Sequence, residues 1–132
     1  HRDIIVDKKY YNFFEIPAII SSVGGIGTYF SQVEGFGNNL LEMLAAGLPV
    51  VINKYHVFKS DLEPLGFDLP HVEENILDPE MIETTFKLAT DYTYRNRVVK
   101  HNLGILSEKL GHRVIAQLLS PLINNIFTKG LR

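Results

Sequence analysis

The sequence predicts an α/β fold built on a parallel sheet, and three features carry that prediction. Two short apolar segments, residues 26–30 and 50–52, enclose a helical stretch at 38–46, the order a right-handed parallel crossover needs. The second segment, Val50-Val51-Ile52, is apolar at consecutive positions, as in a strand covered on both faces. Helical patterns then accumulate towards the C-terminal end, over 79–90, 92–109 and 112–127.

Taken in order, Ile4-Ile5-Val6 is an apolar, β-branched run and reads as a buried strand. A short helix is expected to begin near Tyr11 and to stop before Gly24-Gly25. Phe13, Phe14, Ile16, Ile19 and Ile20 fit helical spacing, although Pro17 lies inside and Ala18-Ile19-Ile20 reads equally well as extended. Residues 26–30 form a strand between glycine punctuation and the polar loop Ser31-Gln32-Val33-Glu34-Gly35-Phe36-Gly37-Asn38. The helix over 38–46 places Leu40, Leu41, Leu44 and Ala45 on one face, to lie on the sheet. Gly47 ends it, and Leu48-Pro49 leads into the buried strand. Residues 54–70 are a long connection of mixed aromatic and charged character, and 67–72 hold a further short strand. Asp78-Pro79-Glu80 opens a helix with a capping side chain, a proline in the first turn and an acid near the positive end. The last helix, 112–127, is bent or shortened by Pro121.

The chain has 132 residues, 45% of them hydrophobic and 21% charged, which suits one globular domain with a core of its own. A net charge of −2 with scattered lysines and arginines gives no attraction to nucleic acid. There is no cysteine, which excludes disulfides and thiolate chemistry and suits a reducing, cytoplasmic setting. No apolar run approaches the roughly 20 residues of a transmembrane segment. The opening His1-Arg2-Asp3 has neither an initiator methionine nor a leader pattern, which fits a segment of a longer chain.

Chemistry is expected at the loop before the helix at 38–46. The first backbone N–H groups of a helix lack carbonyl partners and face the loop mouth, where they satisfy phosphate or sugar oxygens without a cationic side chain. Gly35 and Gly37 let a ligand come close to the backbone. Glu34 and Glu42 bracket this cradle; a carboxylate repels phosphate but accepts hydrogen bonds from sugar hydroxyls. A ligand with both phosphates and hydroxyls, such as a nucleotide sugar, matches the set. The same residues also permit a plain reading, with Glu42 a surface residue and both glycines turn formers.

The string from Tyr29 to Val51, with Glu34-Gly35-Phe36-Gly37, Glu42 and Ala45-Ala46-Gly47-Leu48-Pro49-Val50-Val51, closely resembles the signature of the group 1, retaining glycosyltransferases of the GT-B fold. It departs at Phe30, where that family often has proline, and at Met43-Leu44, where Ala-Met is common. Weaker likeness extends through Asp61, Pro64-Leu65-Gly66-Phe67 and Asn102-Leu103-Gly104.

The resemblance implies a Rossmann-like parallel sheet with helices on both faces, part of the C-terminal donor-binding half of a GT-B enzyme. Residues 1–132 would be that partial domain, with the N-terminal acceptor domain absent as the partner supplied by the same protein. The enzyme would transfer a hexose with retention from a nucleotide-diphosphate sugar, such as a UDP- or GDP-hexose, without a cofactor or metal. Gly35, Phe36, Gly37, Asn38 and Asn39 would line the donor's hexose and pyrophosphate. Glu34 would lie by the transferred sugar in a catalytic role, and Glu42 would bind the ribose. The basic pair that neutralises the leaving diphosphate has no match here, so the chain alone is expected to be inactive. Loss of the first strands is expected to leave apolar surface and a sheet edge through which the chain self-associates.

Other readings are weaker. Gly24-Gly25-Ile26-Gly27 lacks the third glycine of a dinucleotide fingerprint, since that place is Phe30, and a strand rather than a helix follows. The histidines have no metal-ligand spacing, and Ser107 and Ser120 no nucleophile context. Two alternatives from other classes remain: a non-catalytic nucleotide-sugar-binding or assembly module, and a structural α/β domain.

Overall fold

The computed structural model describes residues 4–6, 9–12, 15–74, 76–114 and 120. It is α/β, with strands β1 (Ile4–Val6), β2 (Lys9–Tyr11), β3 (Gly27–Tyr29), β4 (Val50–Asn53) and β5 (His71–Val72). The helices are α1 (Ile16–Ser22), α2 (Asn38–Ala45), α3 (Pro79–Thr90) and α4 (Tyr92–Lys109). The central sheet runs β3-β4-β5. It is parallel throughout, Thr28 facing Val51 and Ile52 facing His71 in register.

The first segment is a strand as expected, and the departure comes after it. Ile4–Val6 does not join the central sheet; it pairs antiparallel with β2, Ile5 opposite Tyr10. Tyr10 and Tyr11 are extended in β2, so α1 starts only at Ile16 and not near Tyr11. The Asn12 N–H donates to the Glu15 carboxylate just before the helix (2.8 Å). Pro17 then stands in the first turn, where its missing N–H costs nothing.

The β3–α2–β4 crossover follows the sequence pattern closely. α2 turns Leu40 and Leu44 into the core. Leu41 is half-buried and Ala45 exposed, so the buried stripe is narrower than expected. The helix ends in a Schellman motif: Leu48 N–H donates to Met43 O and Gly47 N–H to Leu44 O, both at 3.0 Å, with Gly47 at φ +70°. β4 is buried at every position. Tyr29, Val50 and Ile52 pack with Leu40, Leu44, Tyr55, Phe58 and Leu62 on one face. Thr28 and Val51 face α3 across a cleft on the other. Period-two alternation thus serves a sheet with helices on both faces.

The connection 54–70 is not a bare loop. It holds a π-helical turn at Phe58–Leu62 and a 3-10 turn at Glu63–Leu65, which bury Phe58 and Leu62 and take the place of a crossover helix before β5. The strand expected over 67–72 shortens to His71–Val72.

Helices α3 and α4 begin as their sequences dictate, with Asp78 and Asp91 each accepting an N–H at 2.9 Å. α4 packs against α2 and α3, and its buried residues are Arg95, Val98 and Asn102. This stripe is largely polar, and each polar member is satisfied. Asn102 pairs with both backbone groups of Asp68 (2.9 and 3.0 Å). The Arg95 guanidinium donates to the carbonyls of Gly25 (2.7 Å), Gly24 (3.1 Å), Ser21 (3.3 Å) and Leu88 (3.4 Å). The helix expected over 112–127 lies mostly outside the described residues.

Candidate functional site

All three strands of a parallel sheet end at one edge, where open α/β sheets receive ligands. β3 ends there at Tyr29, and the chain turns through residues 30–37 before entering α2. Two contacts hold this loop: Asn53, at the end of β4, donates to Ser31 O (3.3 Å), and the Ser31 hydroxyl to Val33 O (3.2 Å).

The predicted cradle is formed by the entry to α2. Gly37 adopts φ +82° and ψ +45°, with no side chain capping the helix and no acid in its first turn. Leu41 N–H is bonded to Gly37 O (3.2 Å), so the N–H groups of Asn38, Asn39 and Leu40 precede the first intrahelical bond. Asn38 and Asn39 are exposed, and so are Gly35 and Phe36. A Cβ placed on Gly35 meets no atom within 4 Å, so the loop is open to approach there. Gly37 is different. Its Cβ would lie 2.1 Å from the Tyr55 hydroxyl, so glycine is required on its inner side by packing as well as by backbone angle.

The two glutamates occupy different surroundings. Asn39 and Glu42, one helical turn apart, line a cavity of about 420 Å³ between α1, β3 and α2, whose walls include Ile16, Pro17, Ile20 and Ile26. A carboxylate and an amide at an apolar slot suit a flat heterocycle with hydroxyls attached. Glu34 is not among those walls. It is half-buried in the loop, near the Tyr29 phenol. Burial first, and then the neighbouring Glu34 carboxylate, raise the Tyr29 pKa above its ordinary value. Burial, with the nearby Tyr29 and Glu34, pushes Tyr55 up to about 12. The two rings lie 5.9 Å apart, inclined by 60°, and both phenols stay protonated at neutral pH.

Tyr29, Tyr55 and Asn53 are the residues that sequence reasoning did not assign to the site. Tyr29 stands inside the quoted string, yet only the fold places it near Glu34 and against Tyr55. Asn53 and Tyr55 lie in a different segment, and no spacing connects them to the loop. A second cleft of about 510 Å³, walled by Thr28, Phe30, Val51, Ile82 and Phe86 among others, separates the sheet from α3. It holds none of the predicted residues. Among the described residues no cluster of three or more His, Asp or Glu could hold a metal, and no helix is long and apolar enough to cross a membrane.

No sequence-family model matches the chain, and no solved structure matches it. Among curated proteins it is similar to mannosylglucosylglycerate synthase of Thermotoga maritima, with 37% identity over 91 residues, covering 59% of this chain and 21% of that protein. It is also similar to mannosylglucosylglycerate synthase of Petrotoga mobilis, with 50% identity over 63 residues, covering 48% of this chain and 14% of that protein. The matched part is therefore about a fifth or less of the length of these relatives.

Proposed function

We propose that the chain is the donor-binding part of a glycosyltransferase, and that it binds a nucleotide-diphosphate sugar at the entry to α2. The observation that carries this reading is the coincidence of two features at one helix end. Gly37 opens an uncapped N-terminus, and Asn39 and Glu42 on the next turn line an apolar cavity. The first suits a diphosphate and the second a nucleoside. Similarity to two synthases of a mannosyl-containing glycoside supports glycosyl transfer as the reaction class.

In this reading residues 1–132 belong to the C-terminal half of a group 1, GT-B enzyme that retains anomeric configuration, and a UDP- or GDP-hexose is the donor. Glu34 accepts from the hydroxyls of the transferred sugar in the catalytic role, Gly35, Phe36, Gly37, Asn38 and Asn39 hold sugar and diphosphate, and Glu42 accepts from the ribose. The acceptor is bound by an N-terminal domain of the same protein, and the basic pair that neutralises the leaving diphosphate lies earlier in the C-terminal domain, a cytoplasmic setting being the one proposed.

Calorimetric titration with UDP and GDP tests the site. Glu42→Ala is expected to weaken binding of the favoured nucleotide by about 1–3 kcal/mol, the range for hydrogen bonds to a charged acceptor. Equal affinity in wild type and variant removes Glu42 from the site.

The proposed self-association has support at the other cleft. β3 is an edge strand, and Phe30, Ile82 and Phe86 beside it are exposed, a combination that favours pairing. Sedimentation at micromolar concentration is expected to show species larger than monomer; a monomer throughout removes self-association.

A further inference from the structure

A buried hydroxyl without a hydrogen bond is destabilising, and few polar groups in native proteins are left so. Among the described residues the Tyr55 hydroxyl is such a group. Tyr55 is 2% exposed, and its ring is packed against those of Tyr29 and Phe58, each 5.9 Å away. The oxygen ends against Gly37, where a Cβ would collide with it. Packing accounts for the ring, which phenylalanine would supply equally well. It does not account for the hydroxyl, which stands beneath the turn leading into the uncapped N–H groups of Asn38, Asn39 and Leu40. The cover over it is thin: Gly35 has open space around it and Phe36 is exposed, so an outward shift of this turn displaces little. Burial first, and then Tyr29 and Glu34, push the Tyr55 pKa up to about 12. The phenol therefore meets an anion as a donor and not as a phenolate.

We propose that Tyr55 is a ligand-binding residue of the α2 site: as a diphosphate seats at the helix N-terminus, the Gly37 turn shifts outward and the Tyr55 hydroxyl donates to a phosphate oxygen beside the backbone N–H groups. The ligand supplies the acceptor that the folded chain does not provide. A hydroxyl that weakens the fold slightly is thus retained for the complex, where a neutral donor to a charged oxygen makes one of the stronger hydrogen bonds. This inference rests on the donor-binding reading of the site and deepens it, because it assigns a side-chain donor to a diphosphate otherwise held by backbone.

The experiment uses the 132-residue chain in wild-type, Tyr55→Phe and Glu42→Ala forms, with Tyr10→Phe, an exposed residue of β2, as control. Calorimetry measures UDP and GDP, and competition against the favoured nucleotide measures inorganic pyrophosphate. Tyr55→Phe is expected to lose at least roughly tenfold in affinity for nucleotide and pyrophosphate alike, the worth of one hydrogen bond to a charged group, while its urea midpoint holds or rises. Tyr10→Phe is expected to bind as wild type does. Equal affinity in wild type and Tyr55→Phe overturns the proposal. So does a loss of affinity matched by a lower urea midpoint, which marks Tyr55 as structural. A loss for nucleotide without one for pyrophosphate overturns it too, since the hydroxyl then lies away from the phosphates. If nucleotide binds and Glu42→Ala weakens it while Tyr55→Phe does not, the donor site stands and the Tyr55 role alone falls. If no nucleotide binds wild type, both fall together.

Discussion

Gly37→Ala is expected to destabilise the chain by about 2–5 kcal/mol and to remove nucleotide binding with it. Two costs combine. A residue with a Cβ is disfavoured at φ +82° by roughly 1–2 kcal/mol. The new methyl would also lie 2.1 Å from the Tyr55 hydroxyl, and Tyr55 is only 2% exposed, so its ring has nowhere to retreat without disturbing Tyr29 and Phe58. Overpacking of that kind typically costs about 1–3 kcal/mol. The two contributions are separable. Among the described residues the Tyr55 hydroxyl has no hydrogen-bond partner, so Tyr55→Phe alone is expected to be neutral, or stabilising by up to about 1 kcal/mol. In the double variant the nearest ring atom is Cζ, 3.2 Å from the added methyl, so the steric part is largely relieved and the backbone part remains. Urea unfolding of the four proteins checks this. Costs for Gly37→Ala that are equal with and without the Tyr55 hydroxyl would show that packing against Tyr55 does not dictate the glycine.

Arg95→Met is expected to cost about 3 kcal/mol, the upper range for hydrogen bonds made by a charged group. The side chain gathers four carbonyls, three of them at the C-terminal end of α1 and the turn after it, where a cation also meets the negative end of the helix. Methionine keeps most of the volume and none of the donors. The carbonyls of Ser21, Gly24 and Gly25 then lose their shared partner, and α1 loses its tie to α3 and α4. Burial lowers the Arg95 pKa, but a guanidinium stays charged at any pH at which the chain is folded. The penalty is therefore expected to be independent of pH between 6 and 9, roughly. Chemical denaturation across that range is the measurement; a loss below about 1 kcal/mol would place Arg95 at a solvated surface rather than in a buried carbonyl cage. Since α1 walls the Asn39–Glu42 cavity, hydrogen exchange in Ile16–Ser22 should rise in the same variant.

The crossover was legible because each of its signals is local. Val50-Val51-Ile52 is apolar in a row and is buried in a row. Leu40 and Leu44 face the core at helical spacing, and Gly47 terminates α2 by a motif with a defined residue preference. Asp78-Pro79 and Asp91 start their helices through side chains adjacent to the backbone groups they cap. Ile4–Val6 is the strand its sequence indicates, but its pairing with Lys9–Tyr11 was not foreseen, because an apolar triplet does not say which partner it pairs with, and the helix expected near Tyr11 begins at Ile16. The turns at Phe58–Leu62 and Glu63–Leu65 were missed because they bury two side chains without a repeating stripe.

By itself the sequence determined the parallel β–α–β frame and the position of a glycine-rich loop at the start of a helix, since propensity, period and capping act over a few residues. Only the tertiary structure decided that Gly37 is fixed by Tyr55, that Glu42 opens with Asn39 on a cavity that Glu34 does not line, and that Arg95 is a buried clamp. The reason is that hydrogen bonds and steric contacts act across space between segments that may lie many residues apart, as Gly25 and Arg95 do, and nothing in the local pattern of either one names the other.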